Sequence, residues 1–249
     1  MITQATSCSS LLAIYCRHNG EMDHIHLSAL WSRLGKLRGR DEVVCDAHVE
    51  QLVRQTVRVL GTFGSRLIAN TAHGAAKFGL GGKTPSLFGP LAEAATRSID
   101  GFLAAKAASS IDSFNAQAVA NTAWAFATAG HDAESLFTAL AATAASSIDS
   151  FNAQDVANTA WAFATACVSA SPLYAALARR ARDQLHTFQP LDLSMTAWAF
   201  ATAREPADDL FEAIAVAAVQ QKDAGYGDTA PRQADLCAWH NEDARDELL

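Results

Sequence analysis

The chain has 249 residues, of which 50% are hydrophobic, 8% aromatic and 18% charged, and its formal net charge is −7. This length and composition are those of a globular protein with a full-sized core, and they exclude an intrinsically disordered chain. The five cysteines are odd in number and irregularly spaced, so they give no disulfide framework and favour a reducing compartment. No apolar run approaches the roughly eighteen residues that a membrane span requires.

The charge is unevenly distributed along the chain. Residues 1–98 carry 11 Lys and Arg against 7 Asp and Glu, residues 99–203 carry 4 against 8, and residues 204–249 carry 4 against 11. A basic first third and an acidic end indicate different partners or different roles for the two ends. The net acidity argues against a nucleic-acid partner, because phosphate binding calls for Lys and Arg.

The first twenty residues, MITQATSCSSLLAIYCRHNG, contain several hydroxyl groups, one Arg and no acidic residue. This composition is typical of an organellar transit peptide, and a short helix in a capping repeat would have it too. We therefore assign residues 1–45 to an N-terminal capping repeat, which a short targeting segment could precede.

Repetition with a period of 37 residues is the strongest pattern in the sequence. Its three strong copies are SIDSFNAQAVANTAWAFATAG (110–130), SIDSFNAQDVANTAWAFATAC (147–167) and LHTFQPLDLSMTAWAFATA (185–203). The tryptophans of the copies keep the same interval, at Trp124, Trp161 and Trp198. A fixed period of this length is the signature of a stacked-repeat architecture.

Each repeat divides into two helical patterns. The first pattern, SLFTALAATAASSI, has apolar residues one turn apart at Leu136, Leu140 and Ala144. After a short break, Asn152 is a favourable N-cap for the second helix, and Asn115 holds the same position one repeat earlier. Each repeat is thus predicted to be a helical hairpin.

The second helix has two apolar stripes. One stripe contains Val156, Ala160 and Phe163, and the other contains Ala157, Trp161 and Ala164. Two stripes imply that the helix contacts both its own partner and a neighbouring repeat, as in a solenoid. The sequence therefore predicts an all-α fold, an α-solenoid of stacked helical hairpins with a 37-residue repeat. It also predicts that the tryptophans belong to the core.

Weaker copies extend the repeats toward the N-terminus. Residues 65–79 align through Asn70, and residues 26–39 align through Trp31. The interval from Asn70 to Asn121 is 51 residues, which indicates a longer first helix or an extra turn near residues 99–112. We place the solenoid repeats at residues 46–221 and an acidic, partly disordered tail at residues 222–249.

The block FNAQDVANTAWAFATA resembles the helical-hairpin repeats of octotricopeptide proteins and of the related RAP-domain and FAST-kinase-like proteins. Their second helix reads close to N-x-Q-x-L-A-N-T-x-W-A-x-A, which Asn152, Gln154, Asn158, Thr159 and Trp161 match here. The resemblance covers roughly residues 26–203 and is specific over the three strong copies. It implies an RNA-binding protein of chloroplasts or mitochondria that acts in RNA stability, processing or translation.

Two other interpretations stay open. Helical solenoids also present extended surfaces to proteins, so a protein-interaction scaffold of the same architecture is the alternative. The chain could also be a fragment of a longer protein with an effector domain elsewhere. Single-stranded RNA is the leading partner, a protein is the alternative, and neither a membrane nor a small-molecule substrate is expected.

The candidate base contacts are recurring polar residues at the start of the second helix. They are Gln117, Asn121, Gln154, Asp155, Asn158 and Asp192. Solenoids that bind one base per repeat read it with two or three polar side chains, and these positions provide them. Asn121 and Asn158 could instead cross-link adjacent hairpins by side-chain hydrogen bonds, because a buried amide needs partners.

The candidate phosphate contacts lie in the basic first third. They are Arg33, Lys36, Arg38, Arg40, Arg54, Arg58 and Arg66. Clustered Lys and Arg are the electrostatic signature of nucleic-acid binding. An ordinary solvated helix surface would show the same residues, and this alternative also stays open.

Nothing in the sequence indicates catalysis. Cys16, His18, His24 and His26 match no zinc-binding spacing. LGGKTPS (80–86) lacks the first glycine of a phosphate-binding loop, and no nucleophile is paired with a general base. We expect a binding protein with no catalytic residues, no cofactor and no metal.

Overall fold

The computed structural model describes residues 2, 5–37, 44–80, 85–105 and 114–223. Over these residues the chain forms eleven α-helices with short connections and no β-strand. The helices are α1 (Cys8–His18), α2 (His24–Leu37), α3 (Asp46–Val59), α4 (Ser65–Phe78), α5 (Pro85–Ala105), α6 (Ala116–Ala129), α7 (Glu134–Ser147), α8 (Ala153–Thr165), α9 (Ser171–Gln184), α10 (Pro190–Ala203) and α11 (Asp208–Asp223). None of the helices in these ranges is long and apolar enough to cross a membrane.

The helices form two layers, and each layer takes every second helix. Helices α2, α4, α6, α8 and α10 pack side by side in chain order and form the second-helix layer. Helices α1, α3, α5, α7, α9 and α11 pack in the same order and form the first-helix layer. Because each helix contacts the next member of its own layer, the chain is an α-solenoid of hairpins, as the repeat predicts.

Asparagine side chains start the second helices, as the sequence predicts. The Asn115 side chain accepts a hydrogen bond from the Ala118 N–H at 2.9 Å, and the Asn152 side chain accepts one from the Asp155 N–H at 2.9 Å. Gln189 replaces Asn in the next copy, where Pro190 occupies the first turn of α10. Each cap provides a partner for an N–H group that the helix itself leaves unpaired.

The second helices end at a residue with positive φ. This position is held by Gly79 (φ 84°), Gly130 (φ 60°), Cys167 (φ 54°) and Arg204 (φ 56°). A left-handed residue turns the chain out of a helix and suits glycine, because a Cβ atom crowds the following carbonyl. The last two copies retain this turn without the glycine that favours it.

Buried aromatic rings join the two layers. Edge-to-face pairs connect Phe126 with Phe88 (5.4 Å between ring centroids), Phe163 with Phe137 (5.1 Å) and Phe200 with Tyr174 (5.0 Å). The predicted stripe of Val156, Ala160 and Phe163 is fully buried. The core therefore lies between the layers, and one phenylalanine of each of α6, α8 and α10 points into it.

Helix α2, which begins the second-helix layer, aligns with the other repeats one residue away from the alignment that the sequence predicts. Trp31 is fully buried, and its indole N–H donates to the Thr56 hydroxyl at 3.0 Å. Asp23 caps α2 by accepting from the Ile25 and His26 N–H groups, and Ser32 stands nine residues after it. Trp124 stands nine residues after its own cap, Asn115, so Ser32 and not Trp31 holds the tryptophan position in α2.

The longer repeat between α4 and α6 contains a first helix of 21 residues, Pro85–Ala105. The other first helices of the described repeats have 11 to 16 residues. This difference agrees with the predicted lengthening near residues 99–112, of which 106–112 lie outside the described residues. The predicted acidic tail lies outside them from residue 224 onward.

Candidate nucleic-acid interface

One stripe of each of the helices α4, α6, α8 and α10 faces solvent. The stripe consists of the residues two, six, nine and thirteen positions after the N-cap, and this spacing places them on one side of a helix. We call it the solvent face, and its members are Arg66, Asn70, His73 and Lys77 on α4; Gln117, Asn121, Trp124 and Thr128 on α6; Gln154, Asn158, Trp161 and Thr165 on α8; and Leu191, Met195, Trp198 and Thr202 on α10. Every one of these side chains is exposed or partly exposed.

Four of the candidate base contacts lie together on this face. Gln117 and Gln154 are exposed, and Asn121 and Asn158 are half-buried one turn further along α6 and α8. Within the described residues, none of these four side chains forms a hydrogen bond, so their amide groups are available to a ligand. The alternative, that the two Asn side chains cross-link adjacent hairpins, has no such bond to support it in that part of the chain.

The other two candidate base contacts have a different role. Asp155 is only 6% exposed, and its carboxylate accepts a hydrogen bond from the Asn152 N–H at 3.2 Å. The Asp192 carboxylate accepts one from the Gln189 N–H at 2.9 Å. Burial raises the pKa of both carboxyl groups, and these hydrogen bonds oppose the rise. Both side chains close the reciprocal cap at the start of a helix instead of facing a ligand.

A row of aromatic rings crosses the solvent face. Neighbouring ring centroids are 4.8 Å apart from His73 to Trp124, 6.2 Å from Trp124 to Trp161 and 6.5 Å from Trp161 to Trp198. We call this row the ring ladder. Trp198 is 43% exposed, and the other two tryptophans pack only against the edge of the core. The prediction that the tryptophans are core residues is therefore wrong for Trp198 and only partly right for the other two.

The end of the solvent face nearest the N-terminus is cationic. Arg66 and Lys77 are exposed on α4, and Lys36 is exposed on α2. The Lys77 ammonium lies 5.9 Å from the Trp124 ring centroid, within the range of a cation–π contact. Burial, with smaller contributions from Lys77 and Lys36, lowers the pKa of His73 to about 4, so its ring is neutral at pH 7.

Three of the remaining candidate phosphate contacts, those that the structure describes, do not join this cationic end. Arg33 is half-buried, and its guanidinium donates to the Ala5 carbonyl at 3.0 Å. Arg54 and Arg58 lie on α3 in the first-helix layer, where Arg54 pairs with Glu50 at 3.4 Å. Arg38 and Arg40 lie outside the described residues.

Lys77 is a cation of this face that the sequence analysis missed. It stands eleven residues after Arg66, which corresponds to about three helical turns, so the two side chains share one side of α4. Helical spacing from a cation already singled out was the signal that could have found it.

Within the described second helices, carboxylates lie away from the solvent face. Between their first and last residues, the second helices contain only two carboxylates, Asp155 and Asp192, and both belong to helix caps. Two exposed carboxylates that pair with arginines, Asp149 (85% exposed) and Asp209 (84%), lie on the connection after α7 and at the start of α11. The carboxylates of the described second helices therefore do not count against an anionic ligand on this face.

Comparison with known proteins identifies the family. No curated protein matches the chain. A protein-family model described as RNA-editing substrate-binding complex 6 protein matches residues 13–224, from within α1 to the end of α11. The match names this family and not the octotricopeptide or RAP-domain group, and it supports the broader expectation of a helical family associated with RNA. The chain belongs to the family of RNA-editing substrate-binding complex 6 proteins.

Proposed function

We propose that the solvent face of the second-helix layer binds single-stranded RNA and that the protein acts by this binding, without catalysis, in RNA processing. The observation that carries the proposal is the separation of charge, because the exposed cations and amides share a face from which carboxylates are absent across the described second helices. Electrostatic attraction to phosphates is the largest general contribution to RNA affinity.

The residues of this face divide into two groups. The first group holds phosphates at the end of the solvent face nearest the N-terminus and consists of Lys36, Arg66 and Lys77. The amides of Gln117, Asn121, Gln154 and Asn158 donate to and accept from base edges. An unpaired strand suits this arrangement, because its base edges are free of pairing and RNA-binding repeats read them with two or three side chains per unit.

The family and the resemblance of the repeats support a proposal for the cellular setting. The family is named for a complex that binds the substrates of RNA editing. Octotricopeptide-like repeats imply chloroplasts or mitochondria and roles in RNA stability, processing or translation. We propose an organellar RNA-processing role, in which this chain holds an unpaired segment of the transcript for other components to act on.

The first-helix layer supports a second candidate function. The exposed carboxylates of Asp149 and Asp209 lie there or on its connections, away from the proposed RNA surface. A solenoid can bind RNA on one layer and a protein on the other. A protein partner that stays bound after complete nuclease digestion would support such a scaffold role.

The test is equilibrium binding of the purified chain to a random pool of single-stranded RNA across a salt series, with duplex RNA of the same length as the control. We expect affinity that falls steeply with salt, enrichment of particular sequences, and weaker binding of the duplex. Absence of binding to single strands at low salt would contradict the proposed function and direct attention to protein partners.

A further inference from the structure

The ring ladder is not needed to fill the core. Each second helix from α6 to α10 already places a phenylalanine in the core, at Phe126, Phe163 and Phe200. The tryptophan two residues earlier points to the other side and is partly or largely exposed, most of all Trp198. Large exposed aromatic surface in a repeated position marks a contact surface and not a packing requirement.

Polar groups border the ladder along its length. Asn121 lies three residues before Trp124, and Asn158 lies three residues before Trp161, so each amide is one turn from the ring beside it. At the other end, Lys77 lies over the Trp124 ring, which connects the ladder to the cationic end. The phosphates of a nucleic-acid strand would find their counter-charges at this cationic end.

Successive tryptophan rings of the ladder keep a regular spacing. Their centroids are 6.2 and 6.5 Å apart, and their planes are tilted by 30° and 31° from each other. Stacked nucleotides rise about 3.4 Å each, so the interval between tryptophans is close to the length of two nucleotide steps. The His73–Trp124 interval of 4.8 Å is shorter, so the comparison applies to the tryptophans alone.

We propose that the three tryptophans of the ring ladder, Trp124, Trp161 and Trp198, form a stacking platform for the bases of the bound strand. This inference rests on the proposed function, since it assigns a further set of contacts to the same surface. Stacking on aromatic rings is tolerant of sequence, because every base has a π-face. The ladder therefore provides affinity, and the neighbouring amides provide sequence preference.

The test compares two strands and four proteins. The strands are an unstructured RNA of about ten nucleotides and an abasic strand with the same number of phosphates. The proteins are the unmodified chain, Trp198→Ala, Trp198→Phe and the control Val219→Ala, which shortens an even more exposed apolar side chain (60% exposed) on α11. Thermal unfolding of each variant is measured alongside binding.

We expect Trp198→Ala to bind the base-containing strand about 5-fold to 100-fold more weakly. Trp198→Phe should retain most of the affinity, because it keeps a ring, and Val219→Ala should match the unmodified chain. All four proteins should bind the abasic strand equally. In the unmodified chain, the base-containing strand should also quench tryptophan fluorescence more strongly than the abasic strand.

The outcomes separate the two proposals. If the unmodified chain binds the RNA and Trp198→Ala binds it equally well, the stacking proposal is overturned while the proposed function stands. If Trp198→Ala weakens both strands to the same extent, the ring acts on the backbone and the stacking proposal again fails. If the unmodified chain binds neither strand, the proposed function fails and the ladder has no nucleic-acid ligand.

Discussion

The two sides of the second-helix layer differ in chemistry although they belong to the same helices. The inward side of α8 carries Val156, Ala160 and Phe163, all fully buried. The solvent face of the same helix carries Gln154, Asn158 and Trp161, which are exposed or partly exposed. The difference teaches that the repeat encodes two independent functions, stability on one side and binding on the other. Changes on one side should leave the property of the other nearly untouched.

The largest effect is expected on the inward side. Phe163→Ala should lower the free energy of unfolding by about 3–5 kcal/mol, because it empties a fully buried site against the Phe137 ring. Trp198→Ala should cost less than about half as much, since its ring is already 43% exposed. Urea unfolding of both variants measures the two values. Equal losses would show that the Trp198 ring is part of the core after all.

Sequence reasoning predicted the inward side better than the solvent face, and the reason is visible in Trp161 and Phe163. Both are apolar and repeat every 37 residues, so periodicity alone assigns both to the core. Residues two positions apart, however, lie about 200° apart around a helix, so the two rings have to point to different sides. Hairpin architecture, N-caps and the phenylalanine positions follow from local patterns and were predictable.

The role of Asp155 was also readable from sequence. Asn152 followed three residues later by Asp155 is the pattern of a reciprocal helix cap, in which each side chain bonds the backbone of the other. Sequence reasoning instead grouped Asp155 with the candidate base contacts, because it is a polar residue at the start of a second helix. Spatial neighbours across repeats, such as Lys77 and Trp124, could not be predicted, because they depend on how α4 and α6 pack.

Acid should weaken the fold through one residue of the solvent face. The folded-state pKa of His73 is about 4, below the ordinary 6.5, because burial and the nearby cations Lys77 on α4 and Lys36 on α2 disfavour protonation. The ring of Trp124 on α6 packs against the His73 ring. The unfolded chain therefore binds more protons between these values, and stability is lost as the pH falls from about 6.5 toward 4. Relative to His73→Phe, the unmodified chain should lose about 2 kcal/mol between pH 7 and pH 4.5. If the free energies of unfolding of the two proteins changed equally with pH across this range, the lowered pKa of His73 would be contradicted.

Removing charge from the solvent face should reduce RNA affinity and its salt dependence. For Arg66→Gln with Lys77→Gln, the slope of log affinity against log salt should fall by about 1.4, which is about 0.7 per phosphate contact on a single strand. Affinity at 0.1 M salt should fall about 25-fold. The matched control is Arg54→Gln with Arg58→Gln, which removes the same charge from α3 in the other layer. Equal effects of the two pairs would mean that charge acts at long range and not at this face.

Removing amides should leave the salt slope unchanged. Gln154→Ala with Asn158→Ala should weaken binding of the preferred sequence about tenfold, as expected for two lost hydrogen bonds of about 0.5–1.5 kcal/mol each. Binding of unrelated sequences should change less. Selection from a random RNA pool by both proteins measures the change in preference. If both proteins enriched the same sequences, these amides would have no role in base recognition.

The smallest effect on stability is expected at the turn after α8, which belongs neither to the inward side nor to the solvent face of the helix. Cys167 has φ 54° at a turn where two other copies have glycine. Cys167→Gly should stabilise the chain by about 0.5–1 kcal/mol by relieving the left-handed strain. RNA affinity should be unchanged, and a lower unfolding temperature would contradict this account of the turn.

The central claim, that the solvent face of the second-helix layer is the RNA-binding surface, is tested most directly by ultraviolet cross-linking. Single-stranded RNA is cross-linked to the unmodified chain, and the modified residues are identified by mass spectrometry. We predict cross-links on α4, α6, α8 and α10, concentrated at and beside Trp124, Trp161 and Trp198. Cross-links confined to the first-helix layer would contradict the claim and would place the RNA on the opposite side of the solenoid.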